Sequence, residues 1–143
     1  LLHELRLARR VRHPNVCQIF DVGEAEGERF LTMEYVRGSD LAGELLHRHR
    51  FAPPAALRLA HQLCAGLAAI HQRGIVHGDL KPGNIMLEQH RDVRIVDFGI
   101  SEARAWHPAQ EPAGGDGRAP LGTPAYVAPE RWRGAPPSVA SDL

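Results

Sequence analysis

The stretch from Ile75 to Asp97 constrains this chain more than any other. Three short apolar runs, Ile75-Val76, Ile85-Met86-Leu87 and Val93 to Val96, each adjoin a polar or glycine-containing block. Runs this short, bounded by turn formers, read as buried strands or core segments. The blocks His77 to Asn84 and Asp97-Phe98-Gly99 therefore fall at strand ends, where charged groups can face a ligand while their backbone is held. Chemistry is expected there.

The rest of the chain excludes several classes. Its 143 residues and 43% apolar content suit one ordinary soluble globular unit. The formal charge is zero and both signs are scattered, which gives no basic stripe for nucleic acid and no acidic tail. No apolar run approaches bilayer length and no export signal is visible, so no direct membrane contact is expected of this segment. Cys17 and Cys64 lack CxxC spacing and a companion Cys/His cluster that could hold zinc. They read as buried free thiols in a reducing, cytoplasmic compartment. His3, His47, His49, His61, His71, His90 and His107 share no metal-ligand pattern and are taken as solvated side chains.

Residues 1 to 12 place Leu1, Ala8 and Val11 at helical spacing, with Glu4 on the same stripe and Arg6, Arg9 and Arg10 elsewhere. A carboxylate on a buried face needs a partner. His13-Pro14-Asn15 should stop that helix. Val16 to Val22 and Phe30 to Val36 flank the turn-prone Glu24 to Glu28 and predict an antiparallel hairpin. Gly38-Ser39-Asp40 is expected to open a short helix through about His49. Pro53-Pro54 starts a longer one, with Ala56, Leu59, Ala60, Leu63, Leu67 and Ile70 on a face that should pack tightly and Gly74 just past its end. Residues 102 to 122, rich in Ala, Pro and Gly, read as a surface loop.

His77-Gly78-Asp79-Leu80-Lys81-Pro82-Gly83-Asn84, then Asp97-Phe98-Gly99, then Ala128-Pro129-Glu130 follow the order of the protein-kinase signature set. The chain resembles the eukaryotic-type serine/threonine protein kinases, bacterial ones in particular, from Glu4 as the helix-C glutamate to Asp142 at the start of helix F. Met33-Glu34-Tyr35-Val36 looks like the family's gatekeeper and hinge. The resemblance implies an α+β, two-lobe kinase fold truncated at both ends. Residues 1–36 would belong to the N-lobe (helix C, a hairpin, the start of the hinge) and 37–143 to the C-lobe.

Phosphoryl transfer asks mainly for positioning and charge neutralisation, and the resemblance assigns those parts. Asp79 would orient the substrate hydroxyl and accept its proton, while Asn84 and Asp97 would hold Mg²⁺ through hard oxygens. Lys81, the single lysine among seventeen Lys and Arg residues, would face the transferring phosphate of ATP. Thr123, in Gly122-Thr123-Pro124-Ala125-Tyr126, would bridge Asp79 and Lys81. Lys81 and this segment resemble the serine/threonine class, so the implied partner is a protein with Ser or Thr acceptors. The ATP site would take Glu4, Met33, the backbone of Glu34, Tyr35 and Val36 against adenine, Asp40 at the ribose, and Met86. Phe98, His77, Ile19 and Ala8 match the family's regulatory spine, which makes His77 a packed core histidine.

Two departures matter. Gly78 replaces the arginine that in many kinases contacts a phosphorylated activation loop. Between Asp97 and Glu130 the hydroxyls are Ser101, Thr123 and Tyr126, with none in residues 102 to 122. Activation independent of phosphorylation within that loop is the expectation. No GxGxxG and no VAIK-type lysine precede or pair with Glu4, so the chain reads as an internal piece of a kinase domain, inactive in isolation. A small-molecule phosphotransferase of the aminoglycoside/choline type shares the His77-Gly78-Asp79 loop, and a non-catalytic scaffold could keep the fold. The His13-Pro14-Asn15 and Ala128-Pro129-Glu130 motifs weigh against the first, and the retained Asp79, Lys81, Asn84 and Asp97 against the second.

Overall fold

The computed structural model describes residues 7–88, 92–98 and 124–143. Two small sheets and two main helices make up these parts. Strand β1 (Ile19–Ala25) pairs antiparallel with β2 (Glu28–Met33), closing the expected hairpin. Glu26 and Gly27 carry φ of 55° and 82°, so the two-residue loop has the doubly positive φ whose twist matches paired strands. Gly23 lies opposite Phe30, whose ring fills the space a Cβ would need.

The second sheet runs in the order β3 (Gly38–Asp40), β4 (Ile85–Glu88), β5 (Val93–Ile95), all antiparallel. Gly38 to Asp40 forms an edge strand and also opens the expected short helix, with Asp40 as its N-cap. Helix α1 (Leu41–Arg48) begins one residue later, where the Asp40 carboxylate accepts the Gly43 amide at 2.8 Å. Such a cap contributes about 1 kcal/mol. Helix α2 (Pro53–His71) starts on two prolines whose missing N–H groups a helix N-terminus does not use, and Gly74 follows it at φ 71°.

The core lies between α2, β4, β5 and the chain around Val16. Ala8, Ile19, Leu67, Ile70, Ile85, Ile95 and Phe98 are among its buried members. Each large apolar side chain buried this way contributes about 1.5–3 kcal/mol. Residues 15–17 run beside β5: Ile95 donates to Asn15 O and accepts from Cys17 N, both at 2.9 Å. The Asn15 side chain also bonds Gln62 of α2 and the Val93 carbonyl, at 3.0 Å each, which stitches the His13-Pro14-Asn15 turn into the core. Gly66 allows that approach, since a Cβ there would lie 2.9 Å from Asn15 O.

Three expectations need correction. The first helix turns at Arg9-Arg10, ahead of Pro14, because the Arg10 and Val11 amides reach back only three residues, to Leu7 and Ala8. Cys64 is exposed on α2, and only Cys17 is buried. Finally, the apolar face of α2 is tightly packed only in its second half. Leu67 and Ile70 are buried, whereas Ala56 and Ala60 are exposed and Leu59 and Leu63 half-buried. That first half borders a cavity of about 230 Å³ shared with Leu41, Leu45, Phe51 and Leu87. No helix among the described residues is long and apolar enough to cross a membrane.

Candidate active site

The polar block between Ile75 and Ile85 forms a loop followed by one 3₁₀ turn, Pro82–Asn84, that leads directly into β4. Pro82 fixes the start of that turn, and the Asn84 amide closes it on Lys81 O at 2.9 Å. The turn folds Lys81 and Asn84 back toward Asp79. Lys81 Nζ lies 2.8 Å from Asp79 Oδ2, and Asn84 Nδ2 donates to the Asp79 carbonyl at 2.8 Å and lies 3.5 Å from Oδ2. With its NH₂ turned to Asp79, Asn84 keeps its amide oxygen for another group. Asn84 is 5% exposed, so its position is set by packing as well as bonding.

Asp97 arrives at the same place from the other strand. Val96 donates to Asn84 O at 3.0 Å, extending the β4–β5 pairing by one residue and setting Asp97 just beyond Asn84 at the sheet's end. Its φ of 59° is left-handed, a conformation non-glycine residues rarely adopt and one that recurs at functional sites. Two hard oxygen donors, an amide and a carboxylate, thus neighbour a carboxylate paired with an ammonium. That donor set suits a hard divalent cation shared with a phosphate ligand, since Mg²⁺ takes few protein ligands. No group of three His, Cys, Asp or Glu that could hold a metal occurs among the described residues.

The loop's backbone is fixed from below by Asp142, 5% exposed. Its carboxylate accepts the His77 amide at 2.8 Å on Oδ2 and the Gly78 amide at 2.9 Å on Oδ1, and lies 2.8 Å from His71 Nε2. To meet it, Gly78 adopts φ 79°, which an L-residue enters only at a penalty of about 1–2 kcal/mol. Glycine at this position therefore has a conformational reason. His77 is fully buried, accepts the Asp79 amide on Nδ1 at 3.3 Å and donates from Nε2 to Val96 O at 3.1 Å. Burial pushes its pKa below the usual 6.5, against the pull of the Asp142 charge, so the ring stays neutral.

The segment proposed for a nucleotide base follows β2. Met33 ends that strand, Glu34 is half-buried, Tyr35 is exposed and Val36 is buried. Register pairs Asp40 with Met86, so two of the predicted ligand contacts are neighbours across the β3–β4 pair. Asp40 Oδ1 caps α1, which leaves Oδ2 for a ligand. Phe98, Ile19, Ala8 and His77 are all buried. Glu4, Gly99, Thr123 and the 102–122 loop lie outside the described residues.

Sequence reasoning missed three participants. His71, taken as solvated, has a side chain only 13% exposed and pairs with Asp142. Asp142 marked only the limit of a resemblance, and Arg94 of β5, bonded to Glu34 at 2.6 Å, drew no attention. The side-chain bonds of Asp142 to His71, His77 and Gly78 and of Arg94 to Glu34 span 60 or more residues, and no local spacing signals them.

The family model described as protein kinase domain matches residues 1–143. The chain is 41% identical over 143 residues to the serine/threonine-protein kinase pkn2 of Myxococcus xanthus, covering 98% of this chain and 17% of that protein. It is 38% identical over 130 residues to the CBL-interacting protein kinase 19 of Oryza sativa subsp. japonica, 89% of this chain and 24% of that protein. With the CBL-interacting serine/threonine-protein kinase 12 of Arabidopsis thaliana it shares 37% identity over 127 residues, 89% and 25%. The chain thus spans a quarter or less of the length of these relatives.

Proposed function

The chain belongs to the protein kinase domain family, and from that premise we propose that it forms the catalytic heart of a serine/threonine protein kinase. The observation that carries this is the Asp79 cluster. The Asp79 amide is held on a neutral buried histidine, the two residues before Asp79 are held by their amides on a buried carboxylate, and an ammonium lies 2.8 Å from Asp79 Oδ2 with two oxygen donors beside it. Asp79 orients the acceptor hydroxyl and takes its proton as the oxygen attacks. Lys81, already beside that carboxylate, neutralises charge on the group being transferred.

The Asn84 amide oxygen and the Asp97 carboxylate would hold Mg²⁺. Mg²⁺-ATP, when bound, supplies the phosphoryl group and much of the charge neutralisation. The backbone of Glu34 to Val36 receives adenine, with Met86 alongside and the free oxygen of Asp40 at the ribose. Glu4 and Thr123 complete the site in the roles the family resemblance gives them. Residues 1–36 serve as part of the N-lobe and residues 37–143 as part of the C-lobe, working in the cytoplasm.

The test is transfer from labelled ATP to a generic protein by the full-length protein, with and without Mg²⁺, followed by identification of the labelled amino acid. Mg²⁺-dependent phosphoserine or phosphothreonine is expected. Label on a small-molecule acceptor alone, or none with ATP binding absent, would replace this reading with the phosphotransferase or the scaffold.

A further inference from the structure

Residues 34–37 lie between β2 and β3 in no regular element, yet they are to present a backbone carbonyl and amide to adenine at fixed positions. Something must hold them, and Glu34 is the fastened residue. Its amide donates to Gln18 O at 2.8 Å, and its carboxylate accepts the Gln18 amide at 3.3 Å on Oε2. Its carbonyl accepts from the Cys17 thiol at 3.4 Å. That thiol is pushed up to about 11, by burial first and by the Glu34 charge second, so it remains a donor.

The other carboxylate oxygen meets Arg94. The guanidinium lies 2.6 Å from Glu34 Oε1, donates to Val16 O at 3.4 Å, and stands 3.5 Å from Glu88 Oε1. Neither partner of the 2.6 Å pair is more than a third exposed: side-chain exposure is 17% for Arg94 and 31% for Glu34. Arg94 sits on β5, three residues before Asp97, and residues 15–17 are already bonded along that strand. The contacts close a ring: β5 to residues 15–18, across to Glu34, and back through Arg94 to β5. A planar, forked cation suits three acceptors on three elements, which an ammonium would serve less well.

We infer that Arg94 is a positioning residue for the nucleotide, setting the base-binding segment at Glu34 in register with the strand that delivers Asp97. The inference rests on the kinase reading and deepens it. Arg94 touches no reacting atom. Its effect should appear in nucleotide affinity far more than in turnover.

The experiment is steady-state kinetics on the full-length protein with ATP and protein acceptor varied separately, together with direct ADP binding and thermal melting. Arg94→Met is expected to raise the KM for ATP and weaken ADP binding roughly five- to tenfold, as loss of a charged hydrogen bond would. The KM for the acceptor should hold and kcat should fall much less. Arg94→Lys should recover part of the loss, and the exchange Glu34→Arg with Arg94→Glu more than either single change. Equal losses in both KM values and kcat that follow a lowered melting temperature would overturn the inference in favour of a plain structural bond. Unaltered ATP KM and ADP binding in Arg94→Met would also overturn it. Absence of ATP binding in the unaltered protein would instead defeat the kinase reading itself.

Discussion

Helix α2 borders two very different regions. At its C-terminal end, Gly66, Leu67 and Ile70 are buried and His71 joins the Asp142 carboxylate beneath the loop that carries Asp79. At its N-terminal end, Leu59 and Leu63 only half-cover an apolar cavity of about 230 Å³, and Leu57 is 62% exposed. One region is specified by directional bonds to a single buried carboxylate, the other by loosely arranged apolar surface. Directional bonding fixes atoms, which a reaction requires, whereas apolar contact mainly supplies free energy and tolerates slack.

The comparison can be broken most forcefully at Asp142. Asp142→Ala would leave the buried His77 and Gly78 amides unpaired and is expected to lower stability by about 3–5 kcal/mol, read by urea unfolding of the full-length protein. A loss no larger than that of a surface substitution would remove the carboxylate from its central place.

Alanine at two positions of the same helix sharpens the contrast. Ile70→Ala, in the closed half, should cost about 2–5 kcal/mol, and Leu63→Ala, beside the cavity, about 1 kcal/mol. Equal losses would mean that the cavity is filled in solution. At Gly78, whose φ is 79°, alanine is expected to cost about 1–2 kcal/mol and to slow transfer by displacing Asp79.

The last effect, a dependence on pH, concerns His77. Its folded pKa lies below 6.5, so the unfolded chain binds the proton more tightly. The stabilisation is complete above pH 6.5 and declines as pH falls toward the depressed value. Unfolding curves between pH 7.5 and 5 should therefore show a steeper loss in the unaltered protein than in His77→Gln, at about 1.4 kcal/mol per pH unit where one proton is involved. Parallel curves would contradict a neutral buried ring.

Much of the site could be read from the sequence because its members are close along the chain. Asp79, Lys81 and Asn84 fall within one turn-forming block, and β4 and β5 are short apolar runs that bring Asp97 beside them. Asp142 and Arg94 escaped because their partners are distant in sequence and no periodicity marks an isolated Asp or a strand arginine. The strand at Gly38 to Asp40, though not the helix it opens, escaped for another reason. Gly, Ser and Asp are poor strand formers, and only pairing with β4 makes them extended.

The most direct test of the central claim is phosphoryl transfer by Asp79→Asn in the full-length protein, with ATP binding measured on the same samples. The substitution keeps the side chain's shape and removes its capacity to take a proton. Transfer slowed by about 10²–10⁴-fold with ATP still bound is the result expected of a general base at this position. Transfer at the unaltered rate would place the chemistry elsewhere and contradict the account.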